Sequence, residues 1–160
     1  MKEDVLNLLD KNNMKYDLIE HEIVHTIEDM DKLSLLDKGI VCKNLFLRDA
    51  KGKIHIVLSC PHEKDVKLDE ISKKLGTSRL SFGSAERLDK YLKLENGYVS
   101  PFGVINDESK SVIFVFDKDL QGKEKIGFHP NINTSTIFLA FKDVRKVVED
   151  HGNDALFIRL

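Results

Sequence analysis

Apolar residues recur at two distinct spacings along this chain of 160 residues. Val5, Leu6, Leu8 and Leu9, followed by Met14, fall at helical spacing and predict a helix over 3–13. Tyr16–Glu20 alternates weakly, as a short strand does. Thr26 ahead of Ile27-Glu28-Asp29 is a variant of the capping box and predicts a helix running to about Asp37, with Gly39 as its stop. Val41–Arg48 and Lys53–Ser59 are apolar or alternating runs around Asp49-Ala50-Lys51-Gly52, a hairpin signal. Leu68–Leu75 reads as a helix ended by Gly76. Ser84 is positioned to cap a helix carrying Leu88, Tyr91 and Leu92. Asn96-Gly97 and Ser100-Pro101-Phe102-Gly103 mark turns. Ser111–Phe116, with its apolar run Val112–Phe116, reads as a buried strand, and Thr136–Phe141 is another strand. Phe141–His151 places Val144, Val147 and Val148 on one helical face before Gly152, and Leu156–Leu160 fits a last edge strand.

Strands and helices mix without regular alternation, and no repeat, linker or low-complexity segment interrupts them. The expectation is a mixed α/β (α+β) fold in one domain over residues 1–160. Its sheet should be largely antiparallel rather than doubly wound. Composition agrees: 41% hydrophobic and 32% charged residues with a net charge of -2 describe a folded chain, not a disordered one. No apolar run approaches the ~20 residues that span a bilayer, so no membrane partner is expected. The N-terminal segment lacks the apolar stretch of an export signal. The two cysteines, Cys42 and Cys60, cannot form a disulfide framework. A reducing, cytoplasmic setting is the expectation.

The charge is uneven. Residues 1–42 carry 5 basic and 10 acidic side chains, residues 43–93 carry 12 and 7, and residues 94–160 carry 8 and 10. The middle third is therefore basic inside a nearly neutral chain. Screening confines such effects to about 10 Å, so this region can attract phosphate locally or serve only as a solvated surface.

Three places concentrate candidate chemistry. Gly97-Tyr98-Val99-Ser100-Pro101-Phe102-Gly103, with Asn106 beyond it, packs two glycines and a proline into seven residues. Such a loop is either a plain connection or a device for aiming backbone N–H groups at an oxygen. His129 lies in Phe128-His129-Pro130-Asn131, suited either to tie down the loop or to hold a proton near neutral pH. Lys43 shares a strand face with Val41, Leu45 and Leu47, which directs it into a cavity or to its rim. Other chemistries lack support. No Gly-rich phosphate loop is present, so no nucleotide cofactor is expected. Neither Ser84 nor Ser100 sits in a nucleophile elbow that would pair it with His129. Cys42, Cys60 and His62 amount to half a zinc site, so no metal is expected either.

Four segments together carry a resemblance. They are Cys42-Lys43-Asn44-Leu45-Phe46-Leu47-Arg48-Asp49, Arg79-Leu80-Ser81-Phe82-Gly83-Ser84, Gly97–Gly103, and Phe128-His129-Pro130-Asn131. In this order and spacing they resemble the YbaK/prolyl-tRNA-synthetase-associated domain family, in its freestanding branch. The resemblance covers nearly the whole chain. It implies a mostly antiparallel mixed sheet with flanking helices. It also implies trans-editing, the hydrolysis of the ester that joins a wrong amino acid to tRNA(Pro), most readily alanine. The family's functional positions fall on Lys43, Gly97, Pro101 and His129. Ser100, Phe102, Gly103, Asn106, Ser84 and Arg79 are carried over as substrate contacts. The implied partner is the acceptor end of mischarged tRNA(Pro), with prolyl-tRNA synthetase as a second. A cysteinyl-tRNA(Pro) deacylase and a non-catalytic aminoacyl-tRNA sensor are the alternatives.

Overall fold

The predicted hairpin lies at the middle of the sheet. The protein is described by a computed structural model covering residues 2–23 and 27–160. Strands β1, β2 and β3 span Tyr16–Glu20, Ile40–Arg48 and His55–Pro61. Strands β4 to β8 are Ser81–Phe82, Ile113–Asp117, Ile126–Phe128, Ser135–Leu139 and Ala155–Ile158. Their order across the sheet is β1-β7-β6-β2-β3-β5-β8, with β4 paired to β2. Pairings β1–β7, β6–β7, β2–β3 and β2–β4 are antiparallel. Pairings β2–β6, β3–β5 and β5–β8 are parallel. The sheet is thus mixed, with the antiparallel majority that was expected. Among the described residues no helix is long and apolar enough to cross a membrane.

Local chemistry explains the hairpin. Asp49 Oδ1 accepts from the backbone N–H groups of Lys53 and Ile54 at 2.8 and 3.0 Å. Gly52 takes φ +69°, the left-handed region that glycine enters without strain. The helices are α1 Lys2–Lys11, α2 Ile27–Lys32, α3 Leu68–Leu75, α4 Ala85–Leu92 and α5 Phe141–His151. Helices α3 and α5 stop where predicted, at the left-handed Gly76 and Gly152.

Two expectations need correction. The helix drawn to Asp37 is divided: α2 ends at Lys32, Ser34 turns left-handed at φ 56°, and Leu35–Asp37 forms a separate 3-10 turn. The Thr26 cap falls outside the described residues. Strand β6 was not anticipated, because it is three residues long with glycine at its middle. A Cβ on Gly127 would lie 2.7 Å from the Phe138 ring, so the glycine lets that ring rest on β6.

The alternation of β2 sorts its side chains between two cores. Cys42 and Phe46 face the larger one, with Val5 and Leu9 of α1, Leu88 and Leu92 of α4, and Val144 and Val148 of α5. On the opposite face Leu47 packs with Ile56, Leu58, Val115 and Ile71 of α3. On that same face Val41 packs with Leu35 and Phe138. Lys43 stands between these two smaller clusters.

Candidate functional site: the Lys43 and His129 face of the sheet

Burial of the apolar neighbours on both sides leaves Lys43 half-buried in an otherwise greasy strand. A cation there needs a polar partner. Its ammonium donates to the main-chain carbonyl of Lys64, in the turn after β3. Directly opposite Lys43 in the ladder is Cys60. Burial pushes the Cys60 thiol up to about 11, although Lys43 pulls it the other way. It is therefore protonated at neutral pH and a poor nucleophile.

His129 follows directly on the neighbouring strand β6, which ends at Phe128. Val41 pairs with Gly127 in the parallel β2–β6 ladder. Two residues further along each chain lie Lys43 and His129. The His129 Nδ1 lies 3.1 Å from the Ser135 carbonyl, which can only accept, so Nδ1 carries the proton. Burial lowers the affinity of the ring for a second proton, outweighing the Ser135 bond, and His21 adds to the lowering. The neutral ring therefore keeps Nε2 as an acceptor. His21 is held in turn by Thr136, whose Oγ1 lies 2.8 Å from its Nε2. Beside His129 is a cavity of about 20 Å3 lined by Met30, Leu35, Val41, Cys42, Gly127, Phe128 and Thr136. That is room for one water- or methyl-sized group.

The glycine–proline loop joins His129 through its neighbours. Gly97 takes φ +88° and Pro101 begins a 3-10 turn over Pro101–Asn106. Ser100 is fully buried, and its Oγ accepts from the Phe102 N–H at 3.1 Å. Asn131, in the His129 loop, donates from Nδ2 to the Phe102 carbonyl at 3.2 Å, and Phe102 meets Phe128 edge-on. Within the loop the N–H groups of Tyr98, Phe102 and Gly103 are engaged. Among the described residues those of Val99 and Ser100 make no hydrogen bond. Val99 is partly exposed and Ser100 is not, so the Val99 N–H is the donor that an anion can reach.

Four of the other residues carried over as substrate contacts also make contacts within the protein. The Phe102 side chain is fully buried in the larger core. A Cβ on Gly103 would lie 2.8 Å from Leu94, so its packing is internal. Asn106 Nδ2 donates to the Leu92 carbonyl at 2.8 Å, tying the loop to the end of α4. Ser84 caps α4, accepting from Arg87 N–H at 3.2 Å. Arg79 lies apart, in an open groove of about 490 Å3 with Arg48, Leu68 and the exposed Phe82.

Residues not singled out in the sequence also shape this face. Lys64, Asp117, Thr136 and His21 have no motif of their own. The one available signal is Asp117, a carboxylate closing a largely buried apolar strand.

A buried histidine also has a thermodynamic signature. His129 and His55 both have folded-state proton affinities below the ordinary value of 6.5, chiefly through burial. The unfolded chain therefore takes up these protons first. Their contribution to stability is present above about pH 6.5 and is lost as pH falls through the lower folded values. Urea midpoints should hold steady between pH 8 and 7 and decline between pH 6.5 and 5. A midpoint that rises over that acid range would refute the assignment.

Comparisons with known proteins give the chain its relatives. The family profile described as "Aminoacyl-tRNA editing domain" matches residues 21–147. Prolyl-tRNA editing protein ProX of Acetoanaerobium sticklandii is 44% identical over 159 residues, covering 99% of this chain and 97% of that protein. Prolyl-tRNA synthetase associated domain-containing protein 1 of Danio rerio is 30% identical, covering 94% and 82%. A crystal structure described as a candidate trans-editing enzyme for prolyl tRNA synthetase superposes with a TM-score of 0.73 at 15% identity, covering 99% and 96%. That last likeness concerns the fold. With the family profile and the ProX identity spanning the site, the chain belongs to the aminoacyl-tRNA editing domain family.

Proposed function

We propose that the protein is a trans-editing deacylase that hydrolyses mischarged tRNA(Pro), and that the amino acid it clears is alanine. The 44% identity to a prolyl-tRNA editing protein supports the tRNA. The observation that carries the amino acid is the cavity beside His129, apolar and sized for a methyl group. A proline pocket cannot reject alanine by more than ~1–3 kcal/mol per missing methylene, so a second, smaller sieve is required. Here a methyl enters and a pyrrolidine ring does not.

The reaction needs little from the protein. Water adds to the ester carbonyl, the oxygen gains negative charge, and the ribose oxygen leaves with a proton. The free N–H group of Val99, held between Gly97 and Pro101, receives the developing oxyanion. His129 Nε2 accepts from a hydroxyl of the terminal ribose and so orients it. That neighbouring hydroxyl relays the proton, which accounts for chemistry without a nucleophilic side chain. Lys43 holds the terminal adenosine's phosphate or the charged ester oxygen. Arg48 lies five residues further along β2, about 16 Å away, and with Arg79 offers a groove for phosphates nearer the stem. Association with prolyl-tRNA synthetase is a separate part of the proposal.

The test is a panel of alanyl-, cysteinyl-, seryl- and prolyl-tRNA(Pro), followed by loss of the ester. Alanyl-tRNA(Pro) should be cleared about 10-fold or more faster than the others. Preference for the cysteinyl ester would transfer the activity to a cysteine editor. Binding without accelerated hydrolysis would make the protein a sensor.

A further inference from the structure

The turn that receives Lys43 is itself gripped from the end of strand β5, on the same face of the sheet. Strand β3 ends at Pro61, and a tight turn follows, closed by the Lys64 N–H to the Pro61 carbonyl at 3.1 Å. The turn is anchored by the Lys64 side chain. Its Nζ lies 2.7 Å from Asp117 Oδ2 and 2.5 Å from Asp119 Oδ2. Asp117 is fully buried, and its other oxygen accepts from the Asp119 N–H at 3.1 Å. Both carboxylates therefore come from one short turn at the end of β5, and both close on a single ammonium. Hydrogen bonds to the two carboxylates raise the Lys64 proton affinity, and Lys64 holds the Asp119 carboxyl below its usual range.

One residue thus faces two ways. The Lys64 ammonium is clamped by Asp117 and Asp119, while its carbonyl accepts from the Lys43 ammonium. The ladder registers explain the alignment. Lys43 is opposite Cys60 across β2–β3, and the β3–β5 register continues past Ser59–Phe116 toward Cys60 and Asp117. Lys43, Cys60 and Asp117 form one row on one face, and Lys64 arches over it.

We propose that Lys64 is a positioning residue for the editing reaction: clamped by Asp117 and Asp119, it fixes the carbonyl that aims Lys43. This rests on the role given to Lys43 above. A flexible lysine side chain has many rotamers, and a fixed acceptor restricts them before substrate arrives. The acceptor is neutral, so an incoming phosphate or oxyanion displaces it readily.

The experiment is a double-mutant cycle read as kcat/KM on alanyl-tRNA(Pro). Lys64→Met should lower kcat/KM about 10-fold through misplacement of Lys43. In a Lys43→Ala background the same change should have an effect of less than about twofold, because nothing remains to be aimed. Lys64→Arg keeps the charge and should restore most of the loss. Asp119→Asn, at a half-exposed position, should give a smaller loss with the same dependence on Lys43, and it serves should Lys64→Met fail to fold. An equal loss with and without Lys43 would show a merely structural role and overturn the proposal. Full activity of both Lys64→Met and Asp119→Asn would overturn it too. If Lys43→Ala is itself fully active, the role of Lys43 falls and this inference with it. An inactive Lys43→Ala beside fully active clamp variants defeats the clamp alone.

Discussion

Lys43→Ala should lower the hydrolysis of alanyl-tRNA(Pro) on the order of 100-fold or more, with the fold preserved. The reason is its placement. Lys43 is the cation set between two apolar clusters, next to the strand that leads into His129. In such surroundings a charge acts on a phosphate or oxyanion far more strongly than it does in water. The structural cost is modest: the Lys64 carbonyl loses one donor, worth about 1–3 kcal/mol, and water can replace it at a half-buried site. Thermal melting should therefore move by only a few degrees. The split between kcat and KM tells what the cation touches. Loss confined to KM assigns it to a ground-state phosphate, and loss in kcat assigns it to the charge formed in the reaction. A folded Lys43→Ala protein with parental activity would remove it from the site.

The largest expected effect on stability comes from Phe102→Ala. The ring is fully buried and meets Phe128 edge-on, at a centroid distance of 6.3 Å. Removing it should cost about 3–5 kcal/mol, most of it transfer and cavity energy. For a chain of this size that corresponds to a fall of roughly 10 °C in Tm. The bond from Asn131 reaches the main chain of Phe102 and survives the change, so the loss is one of packing. Calorimetry or chemical denaturation reads it directly. Unchanged stability would contradict the core position and return the ring to contact with substrate.

Phe102 also shows where sequence reasoning stopped. Its neighbours Gly97, Ser100 and Pro101 announce a sharply shaped loop, because each restricts or frees the backbone in a known way. Nothing in that string says which side of the loop meets the core. Helices α3 and α5 were legible to the residue, since Gly76 and Gly152 terminate them by a local rule. The division at Ser34 was not, because a left-handed serine carries no sequence mark. For Lys43, strict alternation along β2 was enough to place it on a face shared with Val41 and Leu47. Its partner is a main-chain carbonyl 21 residues away, and a backbone group leaves no trace in a sequence. The same holds for the clamp: Lys64 and Asp117 become neighbours only through the parallel pairing of β3 with β5. His129 was marked by the proline and asparagines around it. The size of the cavity beside it depends on Met30 and Leu35, from a different part of the chain.

The pairing of β1 with β7 bears on how the protein is made. Tyr16 lies opposite Leu139, and about 120 residues separate the two strands. At 5–20 residues per second, β1 leaves the ribosome about 6–24 s before its partner exists. Strand β2 likewise completes its first two pairings only when β6 appears. Such distant contacts make a slow-folding sheet, because loop closure precedes any return from pairing. During synthesis Leu18 and Ile19 therefore present an unpaired, partly apolar edge, and helix α1 has the main core it will cover still unmade. The nascent chain is most exposed to misassociation in that interval, and shielding of its first 20 residues by a chaperone should matter more than shielding of any later segment.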